Sequence, residues 1–333
     1  MQATSSIAHP CAPDETSSNS ENSPILLSII IPVLNNASQA NQTIQKLAAE
    51  PPSKPVEIII VDDGSNPPIQ INTESTENFQ IKLLRLKTNQ GRAGAINNGI
   101  RSASGLYMTF LDADCIPETG YIKNLQHNVS SETPILFGDI HFFSGDPFFD
   151  RYGNRVQARR RTKLQKWTIS LTSANVTLHR DLVLAVNGFD STYRHYGFED
   201  RDFFLRLAQS FPNLTPIYKA DCSVKHVDAI CLNKILKKFE TSGRHTARIF
   251  QSKHPDAYRK MPMYYFDTQA NPIYHYIPYW ILSTANQGLS TTLRGLFFLG
   301  YKLSLDWLAI PTLKGMNGLA FMRGTLAKDT TNV

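Results

Sequence analysis

The sequence is poor in cysteine, and no two of the four present (Cys11, Cys115, Cys222, Cys231) stand in Cys-x-x-Cys spacing. That excludes a zinc ribbon or a thioredoxin-like redox centre, and a reducing, cytoplasmic compartment is expected. A long unbroken apolar run is also missing. The best candidates, "YHYIPYWILSTA" and "LRGLFFLGYKLSLDWLAIP", are short or interrupted by Arg294, Lys302 and Asp306, so no transmembrane helix is expected. Nor is there a secretory signal. The first apolar run, "PILLSIIIPVL", follows an acidic, Ser/Asn-rich leader, residues 1–23, that reads as disordered. Charge of one sign is scarce as well: 34 basic against 28 acidic residues leave +6. This favours phosphate-bearing ligands or an anionic membrane surface. With no RNA-binding signature and no zinc-finger spacing, nucleic acid is not an expected partner.

What is present is an alternation. Apolar, β-rich runs at 27–33, 56–61, 81–86 and 106–111 are separated by helical or loop patterns, one of them at 38–50 and stopped by Pro51-Pro52. Such alternation predicts a parallel sheet with right-handed crossovers, whose ligands bind beyond the C-terminal ends of the strands. Both "VDDGS" (61–65) and "DAD" (112–114) fall there. In "LYMTFLDADCIPE" a strand without polar alternation, buried on both faces, ends in Asp112 and Asp114. If the chain stays extended, the two carboxylates point the same way. They repel, so they serve either a cation or a turn.

A second acidic cluster opens "YGFEDRDFFLRL". Phe203, Phe204 and Leu207 form the core face of a helix, with Glu199, Asp200 and Asp202 at its start. Each acid gains about 0.3–1 kcal/mol from the helix dipole, yet three in four residues exceed what a cap requires. From about residue 230 the character changes. "CLNKILKKFE" sets Leu232, Ile235, Leu236 and Phe239 on one helical face and Lys234, Lys237 and Lys238 on the other, and Tyr274, Tyr276, Tyr279 and Trp280 follow. A helical bundle packed on the preceding domain and a peripheral membrane contact are the two readings.

At this point the order of the motifs carries a resemblance. "SIIIPVLNN", "VDDGS", "NQGRAGAINNGI", "GLYMTFLDADC", "SANVTLHRDLVLAVNGFD", "YGFEDRDFFLRL" and a later "KH" resemble the family 2 glycosyltransferases. Over residues 27–226 the motifs are similar to the branch holding β-1,4-galactosyltransferases and chondroitin-type polymerases. The resemblance implies a GT-A fold: α/β, Rossmann-like, a mostly parallel central sheet with flanking helices, here followed by a C-terminal helical extension. Three regions are expected: the leader 1–23, a GT-A domain at 24–230 and a helical region at 231–333.

The resemblance also implies a chemistry. A UDP-sugar of the Gal, GalNAc or Glc type is expected to donate to a hydroxyl of a growing surface glycan, lipid-linked acceptors included, by single displacement with inversion. Asp112, Asp114 and His226 would hold Mn2+ or Mg2+, to which oxygen ligands are suited, an imidazole favouring Mn2+. Pro32 and Val33 would pack on the base, and Asp62 or Asp63 would accept from the nucleoside. Arg92 would approach the diphosphate, and Asp112 the ribose or metal. Asp200 would be the general base, Glu199 would hold an acceptor hydroxyl, and Tyr196, where that branch carries Trp, would stack on a sugar. Asn175 and Asp190 would shape the pockets, with a structural turn as the other reading of Asp190. "RRRTKLQKW" (159–167) is either a solvated loop or a segment that closes over the diphosphate. The rival function is a catalytically silent sugar-nucleotide-binding or scaffold protein of the same fold, against which the intact Asp112, Asp114, Asp200 and His226 stand. The work would be cytoplasmic, at the inner face of the cell membrane if the C-terminal region binds lipid.

Overall fold

The structure is a computed structural model that describes residues 24–130, 132–162 and 171–327. The leader, and the part of the basic run that falls at 163–167, lie outside the described residues. Strands β1 (Leu27–Val33), β2 (Val56–Asp62), β3 (Phe79–Arg85) and β4 (Tyr107–Leu111) pair in parallel, in the order β3-β2-β1-β4. Helix α1 (Ala37–Ala48) connects β1 to β2, and α2 (Gly91–Ser102) connects β3 to β4. Ile29, Ile30, Ile31, Ile58, Ile59 and Ile60 are fully buried. Each such side chain is worth about 1.5–3 kcal/mol of burial, which explains why these strands read as unbroken apolar runs.

Beyond β4 the sheet becomes mixed. It continues through β7 (Asn175–His179), β6 (Ile135–Phe142), β8 (Ile217–His226) and β5 (Cys115–Pro117). β7 runs antiparallel to β4 and β6, β8 parallel to β6, and β5 antiparallel to β8. Helices α3 (Tyr121–Asn128), α4 (Pro147–Arg161), α5 (Arg180–Ala185) and α6 (Glu199–Ser210) flank it. Asn175 stitches the mixed half together. Its Nδ2 donates to the carbonyls of Asp139 and Cys222, and its Oδ1 accepts from Tyr121 Oη at 2.7 Å.

The C-terminal region is helical: α7 (Leu232–Thr241), a π-helical turn (Ser242–Thr246), α8 (Ala247–Lys253), α9 (Pro255–Arg259), α10 (Tyr279–Lys302) and α11 (Asp306–Leu326). It packs on the sheet domain through two apolar clusters. One joins Phe148 and Phe149 of α4 to Leu232, Phe297 and Leu313; the other joins Tyr193 and Phe198 to Phe250, Tyr258 and Phe321. No helix of the described residues is long and apolar enough to cross a membrane.

Candidate active site

β1, β2 and β4 end side by side, and the residues just past them line a cleft of about 320 Å³. Pro32 and Val33 give it an apolar wall, Asp63 and Arg92 line it, and Arg194, His195 and Tyr196 lie along it. The rim sits close because Gly91, with φ of +77°, opens α2 where a Cβ would come within 2.4 Å of the Arg194 carbonyl oxygen.

The two aspartates of "VDDGS" have different surroundings. Asp62 is fully buried and its oxygens are occupied: Oδ1 accepts from the Ser65 N–H, and Oδ2 from the Ile69 N–H and from Arg85. Burial raises its pKa, but these bonds together outweigh burial and leave the carboxyl below its ordinary value. It shapes the loop and does not line the cleft. Asp63 does line it, accepts from the Gln90 N–H at 2.7 Å, and has its pKa raised by burial.

Past β4 the chain turns, with Cys115 N–H donating to the Asp112 carbonyl, and enters β5. There Cys115 is in register with His226, the last residue of β8, and the Val227 N–H donates to the Asp114 carbonyl. This pairing carries the imidazole to the aspartates across more than a hundred residues of chain. His226 Nε2 lies 3.6 Å from Asp114 Oδ2, too far for a good hydrogen bond. Two ligands on one Mn2+- or Mg2+-sized ion, each about 2.1 Å from it, stand about 3 Å apart, so a small closure brings both onto one cation. His226 Nδ1 is buried without a hydrogen-bond partner among the described residues, and Asp114, Cys115 and His226 together have their ligand atoms within 4.8 Å of one another. The donor set therefore fits a divalent ion on Asp114 and His226. Burial, partly offset by the His226 charge, raises the Asp114 pKa. The Cys115 thiol is pushed well above its ordinary value by burial and then by both aspartates, which makes it a poor ligand beside them.

A second chamber of about 360 Å³ adjoins the first and shares Arg92, Asp112, Asp114, Tyr196 and Glu199 with it. Asp200 lies in this chamber. Its Oδ1 accepts from Ser173 Oγ and from Arg92 Nη1 at 3.1 Å, and its Oδ2 accepts from Thr172 Oγ1 at 3.1 Å. Arg92 also donates to Asp112 Oδ1, from Nη2 at 2.6 Å and Nε at 3.0 Å. Burial would lower the Arg92 pKa, but Asp112 and Asp200 outweigh it and hold the guanidinium charged. Glu199 is 6% exposed, and its pKa is raised to about 7, by burial first and then by the charge of Asp200. Its Oε2 accepts from the Gly197 N–H. The third acid, Asp202, faces elsewhere: it accepts from Arg206 Nε and contacts His254 Nε2, each at 2.8 Å, and so ties α6 to the C-terminal region.

The residues leading into α6 are strained. Gly197 has φ of +108° and Phe198 of +70°, a left-handed conformation uncommon for a bulky side chain. A Cβ on Gly197 would meet Ser242 Oγ at 2.4 Å, and Phe198 is clamped among Phe250, Tyr258 and Phe321. The surroundings over-determine the conformation, as strain at a functional turn requires.

The fold thus gathers Pro32, Val33, Asp63, Arg92, Asp112, Asp114, Tyr196, Glu199, Asp200 and His226 around two joined clefts and leaves Asp62 behind the loop. Asp190 forms a turn, accepting from Thr192 N–H and pairing with Lys253. Sequence reasoning missed Thr172 and Ser173, the hydroxyls that cradle Asp200. Their signal was the polar pair just before β7, which, being antiparallel to β4, begins where β4 ends.

Two family models match consecutive, overlapping stretches of the chain. The Glycosyl transferase family 2 model matches residues 28–185, and the model for the N-terminal domain of galactosyltransferase matches 156–224. A pre-mycofactocin glycosyltransferase of Mycobacterium tuberculosis is 27% identical over 258 residues, which is 75% of this chain and 51% of that protein. An uncharacterized glycosyltransferase of Haemophilus influenzae is 41% identical over 135 residues, 40% of this chain and 51% of that one. The chain spans about half the length of these curated relatives. Among solved structures, the mannosyltransferase PcManGT from Pyrobaculum calidifontis, in complex with GDP-Man and Mn2+, superposes with a TM-score of 0.54 at 17% identity, covering 94% of this chain and 89% of that one. The fold is GT-A. The family 2 model spans just under half of the chain and the galactosyltransferase model carries the match on to residue 224, so residues 28–185 form a family 2 glycosyltransferase segment continued by a galactosyltransferase-like one.

Proposed function

We propose that the protein catalyses metal-dependent, inverting transfer of a hexose of the Gal, GalNAc or Glc type from a UDP-sugar to a hydroxyl of a growing surface glycan, in polysaccharide or lipopolysaccharide synthesis. One observation carries the reading. The cation-ready Asp114–His226 pair and the cradled Asp200 line one chamber, which joins the Pro32–Asp63 cleft through Arg92, Asp112, Asp114, Tyr196 and Glu199. A leaving diphosphate and an attacking hydroxyl are thereby served by one continuous space.

In this reading Pro32 and Val33 pack on the base, and Asp63, rather than the occupied Asp62, accepts from the nucleoside. Asp114 and His226 hold Mn2+ or Mg2+, with Asp112 beside them; bound there, the cation stabilises charge on the leaving diphosphate as a Lewis acid. Asp200 takes the acceptor proton at Oδ2, which has one donor where Oδ1 has two. Glu199, near neutral pH able to donate or accept, holds an acceptor hydroxyl. Tyr196, 55% exposed, offers a ring face to a sugar. The match to a family of inverting hexosyltransferases supports single displacement.

The exposed side of α10 supports a further part of the reading, contact with a lipid surface that presents a lipid-linked acceptor. Among its exposed residues only Arg294 and Lys302 are charged, and both are basic. Trp280, Ile281, Leu289, Leu296, Phe298 and Leu299 are all more than a third exposed. Tyr276 and Tyr279 flank one end of the helix and Trp307 the other. Exposed apolar and aromatic residues toward both ends and one-signed charge suit a helix lying in the plane of an anionic interface. A second copy of the chain would bring like charges together. The work is placed at the cytoplasmic face, which fits the free thiols of Cys115, Cys222 and Cys231.

The test is a donor screen by nucleotide release with Mn2+, across UDP-Gal, UDP-GalNAc and UDP-Glc with GDP-mannose as control. Acceptor-dependent release from one UDP-sugar is expected, and is lost in EDTA. Release from GDP-mannose alone would overturn the donor assignment; binding without release under every acceptor tried would favour the silent rival.

A further inference from the structure

Among the described residues, two guanidinium groups in the chamber that holds Asp200 have no carboxylate partner. Their neighbours are paired: Arg161 with Asp139, and Arg206 with Asp202. Arg160, near the end of α4, and Arg201, in the first turn of α6, line the chamber and form no ion pair among the described residues. Arg201 lies over the Phe198 ring at 5.2 Å and reaches Met261 Sδ at 4.0 Å, neither of which neutralises a charge. The segment that follows α4, residues 163–170, contains no Asp or Glu. The acids that reach the two arginines are Glu199 and Asp200. Glu199, its pKa raised to about 7, carries only part of a negative charge near neutral pH, and Asp200 is already held by Arg92, Ser173 and Thr172.

Both arginines are only partly exposed within the chamber, and a charge that loses part of its hydration without gaining a partner is costly. Here two positive charges repel each other inside one cavity: burial lowers the pKa of both arginines, and Arg160 depresses Arg201 further. Lys238, 5.3 Å from the Tyr196 ring, also lines the chamber but is paired with Asp228 at 3.9 Å. Both arginines line the chamber with Asp200, at whose other end stand Asp114 and His226. Tyr196 and Asp200 act on both, whereas the charges acting on Asp114 at the metal end are those of His226, Asp112, Asp228 and Lys238.

We infer that the acceptor is anionic, carrying a carboxylate or a phosphate beside the hydroxyl that is glycosylated, and that Arg160 and Arg201 grip that group while Asp200 faces the hydroxyl. A planar guanidinium binds either anion through paired N–H donors, and two of them give orientation as well as affinity. The inference rests on reading this chamber as the acceptor site, and it deepens that reading by naming the substrate class.

The experiment uses the full chain, with and without Mn2+ and UDP, and three probes: methyl β-glucoside, methyl β-glucuronide and methyl β-glucoside 6-phosphate. Ligand-observed NMR titrations give their relative affinities. One anionic probe is expected to bind about tenfold or more tightly than the neutral one, the gain of charge-assisted hydrogen bonds, and which of the two wins separates carboxylate from phosphate. Arg160→Gln should erase the preference while UDP affinity in Mn2+ stays as in wild type. Equal binding of all three probes to the wild-type chain overturns the inference, and needs no variant that folds. A fall in UDP affinity in Arg160→Gln also overturns it, by assigning the arginines to the donor. Failure of UDP to bind the wild-type chain with Mn2+ would strike the donor reading instead, and the probe comparison without nucleotide still decides this one.

Discussion

Arg92 donates to Asp200 across 3.1 Å and with its other amine holds Asp112 at 2.6 Å. One cation thus spans the donor-side and acceptor-side carboxylates. Arg92→Met leaves both acids facing each other without it. Breaking a buried ion pair costs about 3–5 kcal/mol; here the side chains are a fifth to a quarter exposed, and a loss of about 2–3 kcal/mol in urea unfolding is expected. Arg92→Lys should recover part of the stability and little of the transfer, since a point charge cannot fork to two partners. Full transfer in the Lys variant would reduce Arg92 to a neutralising charge.

Asp200→Asn should lower transfer by about 10²–10⁴-fold, the usual contribution of a general base, and leave UDP affinity nearly unchanged. A helix-terminal acid alone contributes about 0.3–1 kcal/mol of stability. Single-turnover transfer, UDP calorimetry and a melting curve on the same variant separate the roles. Near-wild-type transfer would send the search for the base to Glu199.

UDP affinity should depend on a divalent ion. In Mn2+, His226→Ala and Asp114→Asn are expected to lose at least about tenfold in UDP affinity, the lower range seen for disturbed metal sites. In EDTA, wild type and variants should converge. Equal UDP affinity in the wild type with and without Mn2+ would remove the ion from the donor site.

The raised pKa of Glu199, about 7 against 4.5, has a signed consequence. The folded state keeps a proton that the unfolded chain releases, so this group costs stability as pH rises from about 4.5 to 7 and the full cost persists above that. Glu199→Gln removes the titration. Its melting temperature should match the wild type near pH 4.5 and exceed it at pH 8. A constant difference across that range would contradict the shift.

Sedimentation with vesicles tests the α10 face. At low salt the full chain should pellet with phosphatidylglycerol vesicles and stay in solution with phosphatidylcholine alone. The double variant Leu296→Glu, Leu299→Glu should lose most of the binding while keeping UDP affinity. If the wild-type chain stays in the supernatant and light scattering finds a dimer that the double variant dissolves, the face is a contact between copies.

Much of this was legible in the sequence because burial on both faces leaves a plain trace. β1, β2 and β4 fall within a residue or so of the apolar runs at 27–33, 56–61 and 106–111, and the acids at the ends of β2 and β4 follow directly. Harder to read were features that depend on partners distant in the chain. "VDDGS" does not say that Asp62 turns inward to Ser65, Ile69 and Arg85 while Asp63 faces the cleft. β5 is three residues long, below any periodicity, yet its register against β8 places His226 beside Asp114. Arg160 sits in a basic run that reads as a solvated loop or a closing segment and Arg201 in an acidic catalytic motif, and only the fold brings them together in one chamber.

The left-handed Phe198, one residue before Glu199, is gripped by Phe250, Tyr258 and Phe321, which come from α8, α9 and α11. The tail of the chain is therefore the splint of its own catalytic turn. Cutting near residue 230 would release a kinked backbone as well as a set of helices, and Glu199 and Asp200 would swing with it. Conversely, whatever leans on α10 or α11 from outside has a mechanical line to the acids that receive the acceptor.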